Sequence, residues 1–511
     1  MTHLRTLTTL TLVLAGVVAV GAPADIASDA LLKHIQFLSS DELKGRANGT
    51  SGLDTAGDYV AAQFKAAGLQ PGATSGDWFQ PFELVAGLVV GSLNTLSISD
   101  RGRKASFVLG TSYYPLSAPS NEDVSKPSAD LRGLPVVFAG YGLVVPGIYD
   151  DYARIDVNGK AVLILSHEPQ EHDSNSRLNG TRPMQQTTVA AKAAAARVRG
   201  AKALIVVLDS THRVDDAPYG LFSADPDADD HGIPLLRIRR AEAQPLVDAW
   251  RLDETAREID ADLTPRSRDL PDARVDYVEH LAKNKQTVRN VIGVLPGSDA
   301  ARAREAIVIG AHYDHVGFGG RLSQSPDNMG EVHNGADDNA SGTASIIEMA
   351  RAAAADRARF PRTLIFIAFA GEERGLLGSA HYVTQPSVPI ENTVAMLNLD
   401  MVGRANGAVD VSGLDVSPSM EADLEAALKA SGSALKIRRE GPGAGRSDDY
   451  SFSARRIPAI NFFTGFHDDY HRPGDDWQKI DVPGTARVAR LALELAASLA
   501  NRETKPEFVS K

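Results

Sequence analysis

The chain has 511 residues, 43% of them apolar and 23% charged, with a formal net charge of −12. That length exceeds one ordinary hydrophobic core, so two domains are expected. The acidic balance argues against nucleic acid or an anionic membrane as the main partner. The absence of cysteine excludes thiol catalysis, thiolate metal sites and disulfide staples.

The first residues read as an export signal. Arg5 precedes an apolar run, Leu7 to Val20, and Ala22-Pro23-Ala24 offers a small-residue cleavage site after Ala24. The run is short for a membrane span. The expected destination is the periplasm or the medium, with no stable membrane insertion once residues 1–24 are removed. Residues 29–70 then read as helix, linker, helix. In the second helix Ser51 is the expected cap, Ala56, Tyr59, Val60, Phe64 and Ala67 recur at helical spacing, and Gly68 closes it. Alternation from about 80 to 115 predicts strands.

Residues 121–274 have a different texture. Short apolar runs (Leu134–Phe138, Lys160–Leu165, Ala203–Leu208, Ile233–Ile238) surround an Ala-rich helical stretch at 188–200. Ser/Pro/Asp-rich segments at 117–126 and 263–272 mark its edges. The pattern predicts a β-rich module inserted into a domain built from residues 25–120 and 275–505. From 275 onward, Ala306–Gly310, Leu364–Phe369, Val394–Leu399 and Ala459–Phe463 read as strands buried on both faces. Ala-rich helices at 341–355 and 484–500 would cover them. The expected fold is α/β, with a central mixed, mostly parallel sheet covered by helices on both faces.

Metal-binding side chains follow these strands. His312, Asp314 and His315 come after the first, Glu372 and Glu373 after the second, Asp400 after the third, and His467 and His471 after the fourth. Asp337-Asp338 precedes the helix at 341. Open α/β sheets bind ligands at the carboxyl ends of their strands. Imidazole and carboxylate are the zinc ligands left when cysteine is absent. A two-metal centre further needs a carboxylate that spans both ions. Each pair alone is an ordinary surface feature; their conjunction at four strand ends and one helix start points to a metal site.

These segments resemble the co-catalytic di-zinc aminopeptidases, a family that takes in secreted bacterial leucine aminopeptidases, glutamate carboxypeptidase II and the transferrin receptor ectodomain. The resemblance rests on GAHYDH (310–315), NGADDNASGTA (334–344), GEERGLLGS (371–379), NLDMVGR (398–404) and DYHRPGDD (469–476). ELKGRANGTSGLDTAGDYVAAQF, nearer the start, is similar to the family's opening helices. The inserted module resembles a protease-associated domain through residues 139–165 and 200–207.

The resemblance implies a zinc exopeptidase fold and a secreted aminopeptidase with two Zn2+, for which Co2+ or Mn2+ could substitute. Its substrates would be peptides with a free N-terminus. Asp338 would bridge the metals, His312 and Asp400 would complete one site, and Glu373 and His471 the other. Glu372 would act as general base on a metal-bridging hydroxide. Asp314 would orient His312, and Tyr470 would stabilise the tetrahedral intermediate. Asp337, His315 and His467 would lie outside the ligand set. Carboxypeptidase, dipeptidase and glutaminyl cyclase chemistry remain open on the same scaffold. A non-catalytic, receptor-like binding protein is the other reading; there the ligand set would be eroded, and here each position is filled. A serine hydrolase is disfavoured by the absence of G-x-S-x-G at a strand-to-helix turn. Preferred residue and oligomeric state are not legible.

Overall fold

The computed structural model describes residues 25–117, 119, 121–181, 184–210, 231–319, 322–325, 330–439 and 447–509. The expected export signal, residues 1–24, lies outside the described residues.

Two sheets organise the chain. In the first, the strands Thr363–Phe369, Ala306–His312, Thr393–Leu399 and Ala459–Phe463 run side by side and parallel. Leu281–Leu295 flanks them on one side and Ala408–Ser412 on the other, both antiparallel. Every residue of the three strands Ala306–His312, Thr363–Phe369 and Thr393–Leu399 is buried. Alternate side chains serve opposite faces. Ile307, Ile309, Leu364 and Phe366 pack under the helices Gly342–Ala355 and Val482–Asn501. Val308, Ile365 and Ile367 meet Tyr382 and Phe452 from the short helices Leu377–Thr384 and Asp449–Ser453. Burial of each large apolar side chain contributes about 1.5–3 kcal/mol, so this two-faced core is the frame on which the strand ends are held.

A side-chain cap bond marks the start of two helices. Asp481 accepts a hydrogen bond from Gly484 N at the head of Val482–Asn501 (3.0 Å), and Thr188 accepts from Ala191 N at the head of Val189–Arg197 (3.2 Å). Ser51 departs from expectation: it is the first helical residue, and Thr50 holds the cap position without bonding the helix. Its hydroxyl donates instead to Ala47 O, 2.7 Å away.

The second sheet corrects the expected domain edges. Phe79–Val90 pairs with Leu281–Leu295 in the first sheet, and Val90 and Leu281 are register partners. The chain leaves and returns at that pair, so the inserted body starts just after Val90 rather than at 121. Thr95–Asp100, Arg103–Phe107 and Tyr113–Pro115 are strands of the second sheet, and Arg268–Glu279 lies inside it. The polar segment at 263–272 therefore runs into this body, whereas Asn121 and Glu122 meet Lys283 and Lys285 of the first sheet's Leu281–Leu295 strand. Composition marks exposed turns, whereas strand pairing decides which core a segment joins. Within this sheet Ala129–Phe138, Ala161–Leu165, Ala203–Val207 and Leu235–Ile238 run parallel around a core of their own.

Candidate metal centre

The parallel strands of the first sheet deliver their next residues to one edge. His312 is the last residue of its strand. Asp400 follows Thr393–Leu399, and Glu372 and Glu373 follow Thr363–Phe369 across Ala370-Gly371. Asp338 comes from the opposite direction, in the wide turn Ala336–Ser341 that opens the Gly342–Ala355 helix. That approach requires glycine at 342, where a Cβ would sit 2.2 Å from Leu399 O. The helix head thus rests directly on the end of the strand that carries Asp400.

Distances divide the site in two. His312 Nε2 lies 3.2 Å from Asp338 Oδ1 and 3.3 Å from Asp400 Oδ1. His471 Nε2 lies 3.1 Å from Asp338 Oδ2 and 3.1 Å from Glu373 Oε2. Each oxygen of Asp338 therefore faces a different histidine. Ligand atoms of His312, Glu372 and Asp400 all lie within 4.8 Å of one another, as do those of His315, Asp338, Glu373 and His471. His315, expected outside the ligand set, is brought into this second group: its Nδ1 is 2.8 Å from Glu373 Oε1 and 3.8 Å from Asp338 Oδ2. His467 is brought to Asp337 instead, with Nε2 3.2 Å from Oδ2.

These residues fit a metal ion on two grounds. The first is charge. Asp314, Asp338, Glu372, Glu373 and Asp400 gather around three imidazoles; Asp314 and Asp338 are buried and the other three half-buried. Unpaired carboxylates are costly to bury. Glu372 is raised well above the usual carboxylate range by burial, with Asp400, Glu373 and Asp448 adding to it. Burial opposes charge on the histidines, yet Glu373 and Asp338 push His471 up to about 11, and Glu372 and Asp400 hold His312 well above its ordinary value. The second ground is direction. His471 Nε2 sits at hydrogen-bond distance from two carboxylates but makes no hydrogen bond. Ligand atoms that converge from two carboxylates and an imidazole on one point have the relation a shared cation requires.

The neighbours hold this arrangement in place. His471 Nδ1 donates to Leu322 O (2.8 Å), which leaves Nε2 free to face the carboxylates. His312 Nδ1 is 3.2 Å from Asp314 O. Asp314 thus meets the ring through its main-chain oxygen, while the carboxylate expected to orient that ring lies 3.9 Å away. The carboxylate accepts instead from Asn48 Nδ2 (2.6 Å) and from the main-chain N–H of Glu372 (3.1 Å) and Glu373 (3.4 Å). It shapes the turn that aims both glutamates. Tyr470 stacks on His471 with ring centroids 4.0 Å apart. Burial and the surrounding carboxylates raise its phenol well above the ordinary value, so it stays an O–H donor.

Three further residues were not singled out by the sequence. Arg46 is buried below the site and donates to Tyr313 O (2.8 Å), Asn334 O (2.7 Å) and Gly335 O (3.0 Å), as well as to Leu38 O. Burial lowers its pKa to about 10, so it remains charged at neutral pH beside Asp338, Asp314, Asp475 and Glu373. Asp475 Oδ2 accepts from Asp337 N (2.9 Å) and Asp338 N (3.1 Å), and its Oδ1 pairs with Arg404 (2.8 Å). Asn48 holds Asp314, as above. All three stand in the matched segments GRANGT and RPGDD, but only the fold brings them under the ligands.

Comparison with known proteins places this edge in context. Residues 290–496 match peptidase family M28. The chain is 30% identical over 242 residues to Aminopeptidase YwaD of Bacillus subtilis (strain 168), a stretch covering 45% of this chain and 49% of that relative. The chain thus spans about half the length of that curated relative. Among solved structures, an aminopeptidase from Aneurinibacillus sp. strain AM-1 aligns over 95% of this chain and 97% of its own, with TM-score 0.58 and 25% identity. BSAP, a zinc aminopeptidase from Bacillus subtilis, shares the fold over 95% of this chain and 98% of its own (TM-score 0.55, 22% identity).

Proposed function

We propose that this chain, whose residues 290–496 match peptidase family M28, is an exported zinc aminopeptidase that removes the N-terminal residue of peptides with two Zn2+ per chain. The observation that carries the reading is Asp338, whose two oxygens each face a separate histidine–carboxylate set. His312 and Asp400 would hold one ion, Glu373 and His471 the other, and Asp338 would serve both. Zinc held by these residues would supply Lewis-acid polarisation of the scissile carbonyl and activation of water near neutral pH.

The chain's own residues do the rest. Glu372 stands beside His312 and Asp400, and burial among carboxylates raises its affinity for a proton, which makes it a stronger base than an ordinary carboxylate. Its carboxylate oxygen would take a proton from the attacking water and return it to the leaving amine. The Asp314 carboxylate fixes the main chain of Glu372, so the base is aimed from behind. The Tyr470 O–H would donate to the developing oxyanion. The acidic wall of Glu372, Asp400 and Asp338 would receive the substrate's α-ammonium group, which restricts cleavage to the first residue. His315 would position Glu373 through its 2.8 Å contact. We further propose that the second sheet and its helices form a protease-associated module.

Elemental analysis of the purified chain, with hydrolysis of aminoacyl chromogenic substrates and their N-acetylated forms, tests this reading. Two zinc ions and chelator-sensitive activity on free amines alone are expected. Activity on acetylated or C-terminal substrates would keep the centre and move the function to another peptidase type. Absence of both metal and activity after zinc is restored would overturn it.

A further inference from the structure

We infer that Asn339 is a positioning residue for the metal centre: it grips the main chain on both sides of Asp400 and so sets that ligand against Asp338. The inference deepens the aminopeptidase reading and rests on it. Asn339 follows Asp338 in the chain and is 0% exposed. Its Nδ2 donates to Leu399 O (2.9 Å), and its Oδ1 accepts from Met401 N (3.2 Å). Leu399 and Met401 are the two neighbours of Asp400. The same Oδ1 accepts from Gly342 N (2.9 Å), at the start of the helix Gly342–Ala355. One amide thus joins the helix head, the strand end and the turn that leaves Asp400.

The grip matters because of the backbone it holds. Met401 has φ of +51°, in the left-handed region. A residue with a side chain keeps that conformation only where its surroundings fix it. Met401 is fixed from two sides. Asn339 takes its N–H, and its carbonyl accepts from Thr464 N (2.9 Å) and Thr464 Oγ1 (2.6 Å). The residues around Asn339 continue the seam. Ser341 Oγ accepts from Val402 N (3.0 Å), and Asp337 Oδ1 from Gly403 N (2.6 Å). Three successive N–H groups after Asp400 therefore donate to side chains of the turn that carries Asp338.

Of these three side chains, Asn339 bonds both flanks of the ligand. The position needs a donor for a carbonyl and an acceptor for two N–H groups on one short side chain. An amide supplies both, whereas a carboxylate offers acceptors alone and an alkyl group neither. Asp338 is held from elsewhere, since its own N–H donates to Asp475 Oδ2 (3.1 Å). Loss of the amide therefore falls first on Asp400, whose Oδ1 stands 3.3 Å from His312 Nε2. Groups behind metal ligands hold them in orientation, and their loss costs about 10–100-fold in metal affinity or activity.

Cadmium-113 NMR of the full chain loaded with Cd2+, beside kinetics of the zinc-loaded chain, tests the assignment. The unaltered chain should give two resonances, one of which Asp400→Asn removes or displaces. Asn339→Ala should move or broaden that same resonance with a lesser change in the other, and lower kcat at saturating zinc by roughly tenfold or more. Asn339→Asp keeps the acceptor for Met401 N and Gly342 N but not the donor to Leu399 O, so its kcat should lie between the two. If Asn339→Ala does not fold, Thr464→Val removes the hydroxyl that holds Met401 O; the same resonance should move, with a smaller loss of kcat. An Asn339→Ala chain with a lower Tm but unchanged resonances and unchanged kcat at saturating metal would make the residue a core amide and overturn the inference. A single resonance from the unaltered chain would overturn the two-metal reading alone, and its displacement by Asn339→Ala would still support the inference. No resonance and no activity from the unaltered chain would overturn both.

Discussion

At the carboxyl edge of the first sheet, His471 Nε2 lies 3.1 Å from each of two carboxylates, and His312 Nε2 lies 3.2 and 3.3 Å from two more. At the carboxyl edge of the parallel strands in the second sheet, Lys192 and Glu168 are as deeply buried, yet they stand apart around a cavity. Both edges bury charge at the ends of parallel strands. The first converges ligand atoms on common points, as divalent cations require. The second spaces two carboxylates and two cations around an open cavity. Burial of charge alone therefore says little about function. Convergence separates a metal centre from a charged cavity.

Asp338→Asn should break the first edge most severely, because Asp338 is the one residue both histidine sets share. Loss of most bound metal and of all measurable turnover is expected, by elemental analysis and by rate. Retention of both ions would dissolve the contrast between the edges. Glu372→Gln separates chemistry from assembly at the same place. It should keep the metal content and lower turnover by roughly 10²–10⁴-fold.

Much of the first edge was legible in the sequence because a buried parallel strand leaves two clear marks. The run is apolar without alternation, and the next residue is placed at the edge by the strand itself. His312, Glu372, Glu373 and Asp400 were found that way. Asp338 and His471 come from turns: position singled out Asp337-Asp338 and the loop with His467 and His471, and family resemblance chose the ligands among all these residues. The supports were invisible for a physical reason. Arg46 bonds carbonyls of residues 38, 313, 334 and 335, and no local pattern encodes contacts with main-chain oxygens nearly 290 positions away. The edges of the inserted body were misread because Val90 and Leu281 are joined by pairing, which composition does not report.

Arg46→Lys sharpens the comparison from beneath. Lysine keeps the charge but cannot reach several carbonyls in a fixed fork, so the loop before Asp338 should loosen. Zinc affinity is expected to fall roughly 10–100-fold, as for other supports behind metal ligands, with a smaller loss of kcat once zinc is saturating. An unchanged zinc affinity would make Arg46 a core residue and no more.

Proton linkage offers another contrast. In the zinc-free chain His471 is raised to about 11, and burial raises Asp448 to about 7 and Asp449 to about 8. Each group binds its proton more tightly folded than unfolded. The acids lose their stabilising contribution as pH rises from about 4 through 7–8, and His471 loses its own as pH rises from about 6.5 toward 11. The Tm of the zinc-free chain should therefore fall steadily between pH 5 and 9. Zinc should flatten that slope and release protons on binding, measurable by thermal melts and by calorimetry in buffers of different ionisation heat. A zinc-free Tm that rises with pH would contradict the assignment of charge at this edge.

Lys192→Met asks whether the two edges are independent, and the smallest effect on turnover is expected here. The substitution preserves a long side chain but removes the donor to His167 O and the cation among Asp151, Glu168 and Asp209. Loss of a charged donor to a buried carbonyl costs about 1.5–3 kcal/mol, and it should fall on the second body, whose core is separate from that of the first sheet. Hydrogen exchange should accelerate in the Ala161–Leu165 and Ala203–Val207 strands and not in Ala306–His312. Metal content and kcat/KM on short aminoacyl substrates should match those of the unaltered chain. A parallel fall in kcat/KM would mean that this buried cluster and the metal centre are coupled.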